Sequence, residues 1–447
     1  MKVLHVPYSF PPDPPGGTEI YVDGLCRVLE PHGIQSVVAA PADADRAYDI
    51  DGLPIRRFAC SASAMSLEAL YGGGDPIATA SFARVLDEER PDVLHMHAIS
   101  PACSIDLVAT AQQRGIPVVV TYHTPAISCQ RGTMLKMGAE QCSGVLGVEP
   151  CAACVLDDLG VNPVVRHMVT ALPSEVGRAL GRHGWSGGVW TAMRMTALME
   201  RRVADAKRLF DTADLFVSLT PWVTRLLAAN DVPSSRIVYS PHGTTGGRVA
   251  RGPRSQGDAI RLIHLGRLDP VKGTALLLRS LAAAPELPLM LDIFGIVQAT
   301  SDTGLIDALR SLAEADPRVT LRPSMPHGQV LTTLAEYDAV VVPSQWAETG
   351  PLVVLEAFAA GVPVIGSALG GIVDKIEHER DGLLVSPFDS EAAWTATLTR
   401  VTSRLDLLPG LRSAVVAPRS MVDVGREMLD AYRTLAAKRA AALVGAR

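Results

Sequence analysis

Residues 339–366 read Ala-Val-Val-Val-Pro-Ser-Gln-Trp-Ala-Glu-Thr-Gly-Pro-Leu-Val-Val-Leu-Glu-Ala-Phe-Ala-Ala-Gly-Val-Pro-Val-Ile-Gly. The apolar run at 340–343 has the length of a buried strand, and 344–350 reads as the loop that ends it. Pro351 suits the first position of a helix, where its missing N–H costs nothing. Gly361 suits the left-handed residue past the helix end, and Pro363 stops continuation. The spacing therefore predicts a helix over 351–360, followed by a new strand at 363–365. Strand, loop, helix and strand packed this tightly imply parallel strands joined by helical crossovers. The first amides of the helix, at Gly350, Leu352 and Val353, are left without intrahelical partners. With the helix dipole they make an anion site suited to phosphate.

Outward from this stretch the same alternation continues in both directions. Strands are expected at 261–265, 289–294, 319–321, 339–342 and 383–385, with helices at 274–284, 305–315, 328–336 and 391–405. Before them, 241–258 is rich in Gly, Pro and Arg and reads as a linker. Earlier strands are expected at 3–7, 36–39, 93–96, 118–122 and 215–219, with helices at 18–29, 79–89, 106–114 and 221–229. The fold class is thus α/β, with two doubly wound Rossmann-like domains facing an interdomain cleft. We place the amino-terminal domain at 1–243, with a cysteine-containing insertion at about 125–200. The carboxy-terminal domain falls at 258–418. A last amphipathic helix lies within 419–447.

Composition narrows the class. The chain has 447 residues, of which 48% are hydrophobic and 20% charged, and a net charge of −6. That is ordinary for a globular protein and argues against nucleic acid as the main partner. No run reaches the length needed to span a bilayer and no signal-peptide core is recognisable. A cytoplasmic setting is expected.

A second constellation is Gly266-Arg267-Leu-Asp-Pro-Val-Lys272-Gly273, directly after an expected strand. Two cations five residues apart on such a loop suit a diphosphate and the charge developing on it as it leaves. Pro15-Gly16-Gly17-Thr18-Glu19 follows the first strand, and paired glycines allow close backbone approach to a ligand. Glu356, about one and a half turns into the helix, can accept hydrogen bonds from two vicinal hydroxyls, and Glu348 can reach a sugar hydroxyl. Neither GxGxxG nor GxxxxGK occurs, which removes the main support for a dinucleotide enzyme or a P-loop NTPase.

The segments GGTE, GRLDPVKG and ETGPLVVLEAFAAGVPVIGS resemble those of the family-4 retaining glycosyltransferases with the GT-B fold. The resemblance implies a sugar moved from a nucleotide-diphosphate donor to a glycan, lipid-linked or small glycoside acceptor. It implies that Arg267 and Lys272 bind the diphosphate, that Gly350, Pro351 and Leu352 line it, and that Gly16 and Gly17 approach it. Glu356 would hold the ribose, Glu348 the transferred sugar, and His123, in VVTYHTP, would be the active-site histidine. His97 is a further acceptor-side candidate. The last helix would cross back to the amino-terminal domain. No cofactor is required for catalysis on this reading, the Arg267 and Lys272 pair taking a metal's place. Retention of configuration follows, with the leaving phosphate accepting the acceptor's proton. A GT-B-fold epimerase or phosphorylase, a glycosidase using Glu348 and Glu356, and a catalytically silent assembly protein are the alternatives.

Two features stand outside that pattern. Cys129, Cys142, Cys151 and Cys154 supply four thiols in a Gly- and Ser-rich stretch, enough for a structural tetrahedral zinc site, with an iron–sulfur cluster as a lesser alternative. Residues 164–209 hold eight Arg or Lys against three acidic residues. Mixed with apolar residues, they suit an anionic lipid or a lipid-diphosphate acceptor and peripheral contact with the inner membrane face, or else a core helix with a solvated basic face.

Overall fold

The computed structural model describes residues 1–61, 66–246, 259–297 and 302–445. Two compact units emerge, one built from Met1–Pro241 with Val422–Arg447, the other from His242–Met421. Of the stretch read as a linker, 242–246 belong to the second unit, where Thr244 pairs with Ser420. Residues 247–258 lie outside the described residues.

The first unit is an eight-stranded sheet. Its strands are β1 Lys2–Val6, β2 Gln35–Ala42, β3 Arg46–Ile50, β4 Leu53–Ala59, β5 Val93–Met96 and β6 Val118–Thr121, then, beyond a separate two-stranded hairpin of β7 Leu135–Lys136 and β8 Glu140–Gln141, β9 Leu215–Ser218 and β10 Ile237–Tyr239. The order is β10-β9-β6-β5-β1-β2-β4-β3, parallel except for the β3–β4 hairpin. The second unit holds β11 Ile260–Arg267, β12 Leu289–Ile296, β13 Val319–Arg322, β14 Ala339–Val342, β15 Val364–Ser367 and β16 Gly382–Val385. They pair in the order β13-β12-β11-β14-β15-β16, parallel throughout. Both orders reverse once, between β1 and β5 and between β11 and β14. In open α/β sheets ligands gather outside the carboxyl ends of the strands at such a reversal.

Burial explains why these runs became strands. In β14, Ala339 and Val341 face one core while Val340 and Val342 face the other, and Ile365 and Val364 of β15 divide in the same way. Helices Thr274–Ala282 and Glu391–Ser403 cover the first face, and Leu352–Ala359 with Val330–Ala335 the second. A strand apolar on both sides must be covered on both sides, which parallel crossovers achieve. The edge hairpin β3–β4 and the short strand β10 were not legible in the sequence, because β3 is largely exposed and carries only a faint apolar pattern. The last helix, Met421–Gly445, packs on the first unit: its Tyr432 hydroxyl lies 2.6 Å from His95 Nδ1, and Gly425 touches Val28.

The insertion forms a small core of its own. Helix Gly188–Thr212 buries Met195, Leu198, Met199 and Val203 against Ala152 and Leu156 of helix Val148–Asp158. Its basic residues mostly turn to protein partners rather than forming one free face. Arg194 pairs with Glu68, Arg202 donates to the Ala126 carbonyl, and Arg208 lies 2.8 Å from Asp106. Among the described residues no helix is long and apolar enough to cross a membrane.

Candidate functional site

In the second unit, the loops after β11 and β14 emerge side by side. Asp269 accepts from the Val271 amide at 3.1 Å and turns the chain tightly. Gly273 closes that turn at φ +70°, where a Cβ would stand 1.8 Å from the Pro343 carbonyl oxygen. The Gln345 amide donates to the Val271 carbonyl at 2.7 Å, stitching one loop to the other. Lys272 Nζ then reaches Glu348 Oε1 at 2.6 Å and stands 5.0 Å from the centre of the Trp346 ring. Ser344 Oγ donates to the same Glu348 oxygen at 2.9 Å. Arg267 lies at the loop mouth, about one third exposed, with Nη1 3.8 Å from Asp269.

A third loop, after β15, grips this pair from behind. The Gly371 amide donates to the Glu348 carbonyl at 2.6 Å. Gly370 sits at φ +53°, and a Cβ there would fall 2.6 Å from Ala347 Cα. His242 Nδ1 donates to the Gly350 carbonyl at 3.1 Å, and burial, aided by the Lys375 charge, pushes its pKa down to about 3. The helix begins at Leu352, so Pro351 occupies the cap and not the first helical position; its ψ of 104° is extended. Gly361 takes φ +69° as expected. The leading amides of the helix, at Leu352 and Val353, have no carbonyl one turn behind them. Glu356 is largely buried, 3.6 Å from His327 Nδ1, and burial pushes its pKa up to about 7. His264 braces the floor by donating from Nδ1 to the Val341 carbonyl at 3.0 Å and meeting the Thr274 hydroxyl through Nε2 at 3.0 Å. His242, His264, Gly370 and Gly371 carried no recognisable sequence signal, since each acts on residues distant along the chain.

In the first unit the corresponding place holds four buried histidines. His5 on β1 and His95 on β5 are partners in register. His5 Nδ1 is 3.1 Å from His97 Nε2, and His97 Nδ1 is 3.2 Å from His123 Nε2. His95 is held by Tyr432 and by the Thr121 hydroxyl at 2.7 Å. A neutral imidazole has one N–H and one bare nitrogen, so a single donor direction must run through His5, His97 and His123, and one tautomer fixes all three. Burial pushes the His5 pKa down to about 3, and His95 lies well below the usual imidazole range through burial and then the charges of His5 and His123. His5 Nε2 has no hydrogen-bond partner among the described residues. One ring nitrogen each of His5, His95 and His97 lie within 4.8 Å of one another, with no carboxylate among them. The structure thus brings His97 and His123 together, and adds His5 and His95, which the sequence reading did not single out. Tyr21, from the first helix, lies edge-on to His123 with centroids 4.8 Å apart.

Gly16 caps that helix, Gly17–Leu29, and its amide donates to the Glu19 carboxylate at 2.9 Å. The Gly16 amide therefore serves the helix start itself. Surface hollows of about 690 and 350 Å³ open near Arg90, Asp92 and Ile116 and near Lys2, Gln35 and Leu53, at the amino ends of strands and so away from these residues. Cys129, Cys142, Cys151 and Cys154 are all free thiols.

Comparison with known proteins agrees with this architecture. Residues 16–243 match the glycosyl transferase 4-like domain and residues 250–403 the glycosyl transferases group 1 model. A D-inositol 3-phosphate glycosyltransferase of Actinosynnema mirum is 32% identical over 48% of this chain and 53% of its own length. One from Thermobispora bispora is 29% identical over 48% and 54%. The chain spans about half the length of the curated relatives it matches. Among solved structures, sucrose-phosphate synthase of Thermosynechococcus elongatus superposes with a TM-score of 0.66 at 18% identity, covering 98% of this chain and 99% of that one. Anabaena HepE, solved with UDP and glucose, gives 0.63 at 14%, covering 97% and 100%. Both likenesses speak to the fold. With one family model spanning half of its length and two Rossmann-like units behind it, the chain belongs to the family-4 glycosyltransferases and has the GT-B fold.

Proposed function

We propose that this glycosyltransferase is a retaining enzyme that takes its sugar from a nucleoside diphosphate donor held on the second unit. The observation that carries the reading is the meeting of Arg267, Lys272, Glu348 and the helix start at Leu352 where the strand order reverses. On binding, the diphosphate shares Lys272 with Glu348, and Arg267 swings from Asp269 onto it. Glu348 then turns an oxygen to the transferred sugar. Glu356, poised near neutrality, takes the ribose hydroxyls. As the sugar–phosphate bond breaks, Arg267, Lys272 and the helix amides hold the growing negative charge. The leaving phosphate oxygen receives the acceptor's proton on the same face. His123, held in one tautomer by His97, orients the incoming hydroxyl. No metal or other cofactor takes part in these steps.

UDP is the first donor base to test, because HepE was solved with UDP-glucose as well. The acceptor is a glycan, a lipid-linked sugar or a small glycoside, and D-inositol 3-phosphate, which appears in the relatives' names, joins the panel to be tested. A lipid-linked acceptor is favoured by an apolar surface on the insertion. Trp185 and Trp190 sit 4.5 Å apart, both exposed, with Val164, Met168 and Val189 exposed nearby in the chain. Titration calorimetry with UDP, GDP and ADP, followed by product analysis from the tightest donor, tests the proposal. Binding of one nucleotide lost in Arg267→Ala, with product of unchanged anomeric configuration, is expected. Inverted product would remove the retaining assignment, and equal binding by Arg267→Ala would remove the diphosphate clamp.

A further inference from the structure

Cys129, Cys142, Cys151 and Cys154 come from three separate pieces of the insertion. Cys129 follows the short turn Pro125–Ile127. Cys142 follows β8, its amide bonded to the Met134 carbonyl at 2.8 Å. Cys151 and Cys154 lie one turn apart on helix Val148–Asp158. The hairpin between the first two is tightly wound, with Gly132, Met134, Met137 and Gly138 all at positive φ. Non-glycine residues adopt that conformation at a cost, so the surroundings must impose it.

Hydrogen bonds tie these pieces together: Cys154 Sγ lies 3.6 Å from the Leu135 carbonyl of β7, in the hairpin that ends at Cys142. Main-chain amides already point at sulfur: Gly144 N to Cys142 at 3.4 Å and Met137 N to Cys154 at 3.3 Å. Such donors can hydrogen-bond a metal-bound sulfur from the outer shell. Arg131 adds an N–H to Cys154 at 3.6 Å. The Nε atoms of Arg131 and Arg202 are buried without a hydrogen-bond partner among the described residues. Arg131 is paired with Asp158 at 2.8 Å.

We infer that Cys129, Cys142, Cys151 and Cys154 bind one structural zinc ion that holds the hairpin and helix of the insertion together. Binding releases four protons. Four thiolates around Zn²⁺ carry a net charge of −2, and the Arg131 guanidinium, which Asp158 also contacts, reaches the Cys154 sulfur at 3.6 Å. With all four positions filled by sulfur, the ion has no open site for substrate. The sulfurs are spaced more loosely here than the 4.8 Å grouping seen for His5, His95 and His97. Zinc, with Zn–S distances of about 2.3 Å, would draw them to about 3.8 Å from one another. This inference is independent of the donor site, which lies on the other unit.

The test is metal analysis of the purified full chain after removal of any affinity tag. About one zinc per chain, retained through dialysis against EDTA, is expected. Cys142→Ser and Cys151→Ser should lose at least half of it, while Cys60→Ser and His5→Asn keep it. If those serine variants fail to fold, wild-type protein is titrated with a mercurial while a chromogenic chelator reads released zinc. Release of one zinc as about four thiols react supports the site. Replacement by Co²⁺ should give thiolate-to-cobalt charge-transfer absorption. Folded wild-type protein with no zinc and no such absorption overturns the inference. So does iron with visible cluster absorption, or zinc lost in His5→Asn but kept in Cys151→Ser.

Discussion

At the reversal point of its sheet the first unit gathers buried imidazoles, and the second gathers an ion pair beside an arginine. His5, His97 and His123 are linked by hydrogen bonds and His95 meets two hydroxyls, and burial holds His5 and His95 below their usual protonation range. Across the second sheet, Lys272 and Glu348 form a close ion pair, with Arg267 beside it. Both sheets reverse their order beside their first strand, so the fold does not dictate the contrast. The lesson is that topology sets where a site lies, and the side chains at strand ends set its chemistry. A chain of hydrogen-bonded imidazoles suits orienting a hydroxyl. A charged loop suits holding phosphate.

The largest way to break the comparison is Lys272→Ala. Glu348 would be left buried without its cation, so the second unit should lose about 3 kcal/mol. Turnover should fall by about 100-fold or more, read from initial rates beside urea unfolding. Normal rates with normal stability would mean the pair is only decoration. Next, Gly273→Ala forces a side chain into the Pro343 carbonyl at a left-handed residue, costing about 2–4 kcal/mol. Hydrogen exchange should show the loss centred on the two stitched loops, and protection unchanged there would refute the stitching.

His97→Asn probes the other unit. Rates should drop by about 10- to 100-fold while nucleotide affinity, measured by calorimetry, stays within about twofold. A parallel loss of nucleotide affinity would contradict the division of labour.

A pH series then sharpens the contrast. A histidine whose folded pKa is lowered stabilises the fold above its unfolded value near 6.5, and that contribution fades as pH falls towards about 3 for His5 and His242 and about 4 for His264. Glu356 has the opposite sign. Its folded pKa is raised from 4.5 to about 7, so its contribution is full below 4.5 and is lost as pH rises. The second unit therefore holds opposing groups, while the first has only the histidines among these. Hydrogen exchange at pH 5 against pH 7.5 should show the first unit losing more protection. Glu356→Gln should be more stable than wild type at pH 8, by up to about 3 kcal/mol, with the gain vanishing by pH 4.5. A constant difference across that range would exclude a raised carboxyl pKa. The smallest effect is expected from Trp185→Ala with Trp190→Ala, within about 0.5 kcal/mol of wild-type stability but with weaker sedimentation on anionic vesicles. Unchanged sedimentation would argue against the lipid-linked acceptor.

Much of this was legible in the residues alone. The stretch 339–366 fixed its own strand, loop, helix and stop through Pro351, Gly361 and Pro363, because caps and turns act over a few residues. The same locality identified the loops bearing Arg267, Lys272, Glu348 and Glu356, and the thiols of the insertion. Even so, Pro351 proved to be the cap rather than the first helical residue, a shift that spacing does not resolve. What tertiary structure alone decided was adjacency. Nothing in the chain announces that β11 lies beside β14, that Gly370 presses on Ala347, or that His5 stands in register with His95, 90 residues on. Neighbouring strands in a parallel sheet are joined through crossovers and sorted by which apolar faces cover one another, so their order is a property of the packed whole. Local propensity acts within a few residues and has no reach over that choice.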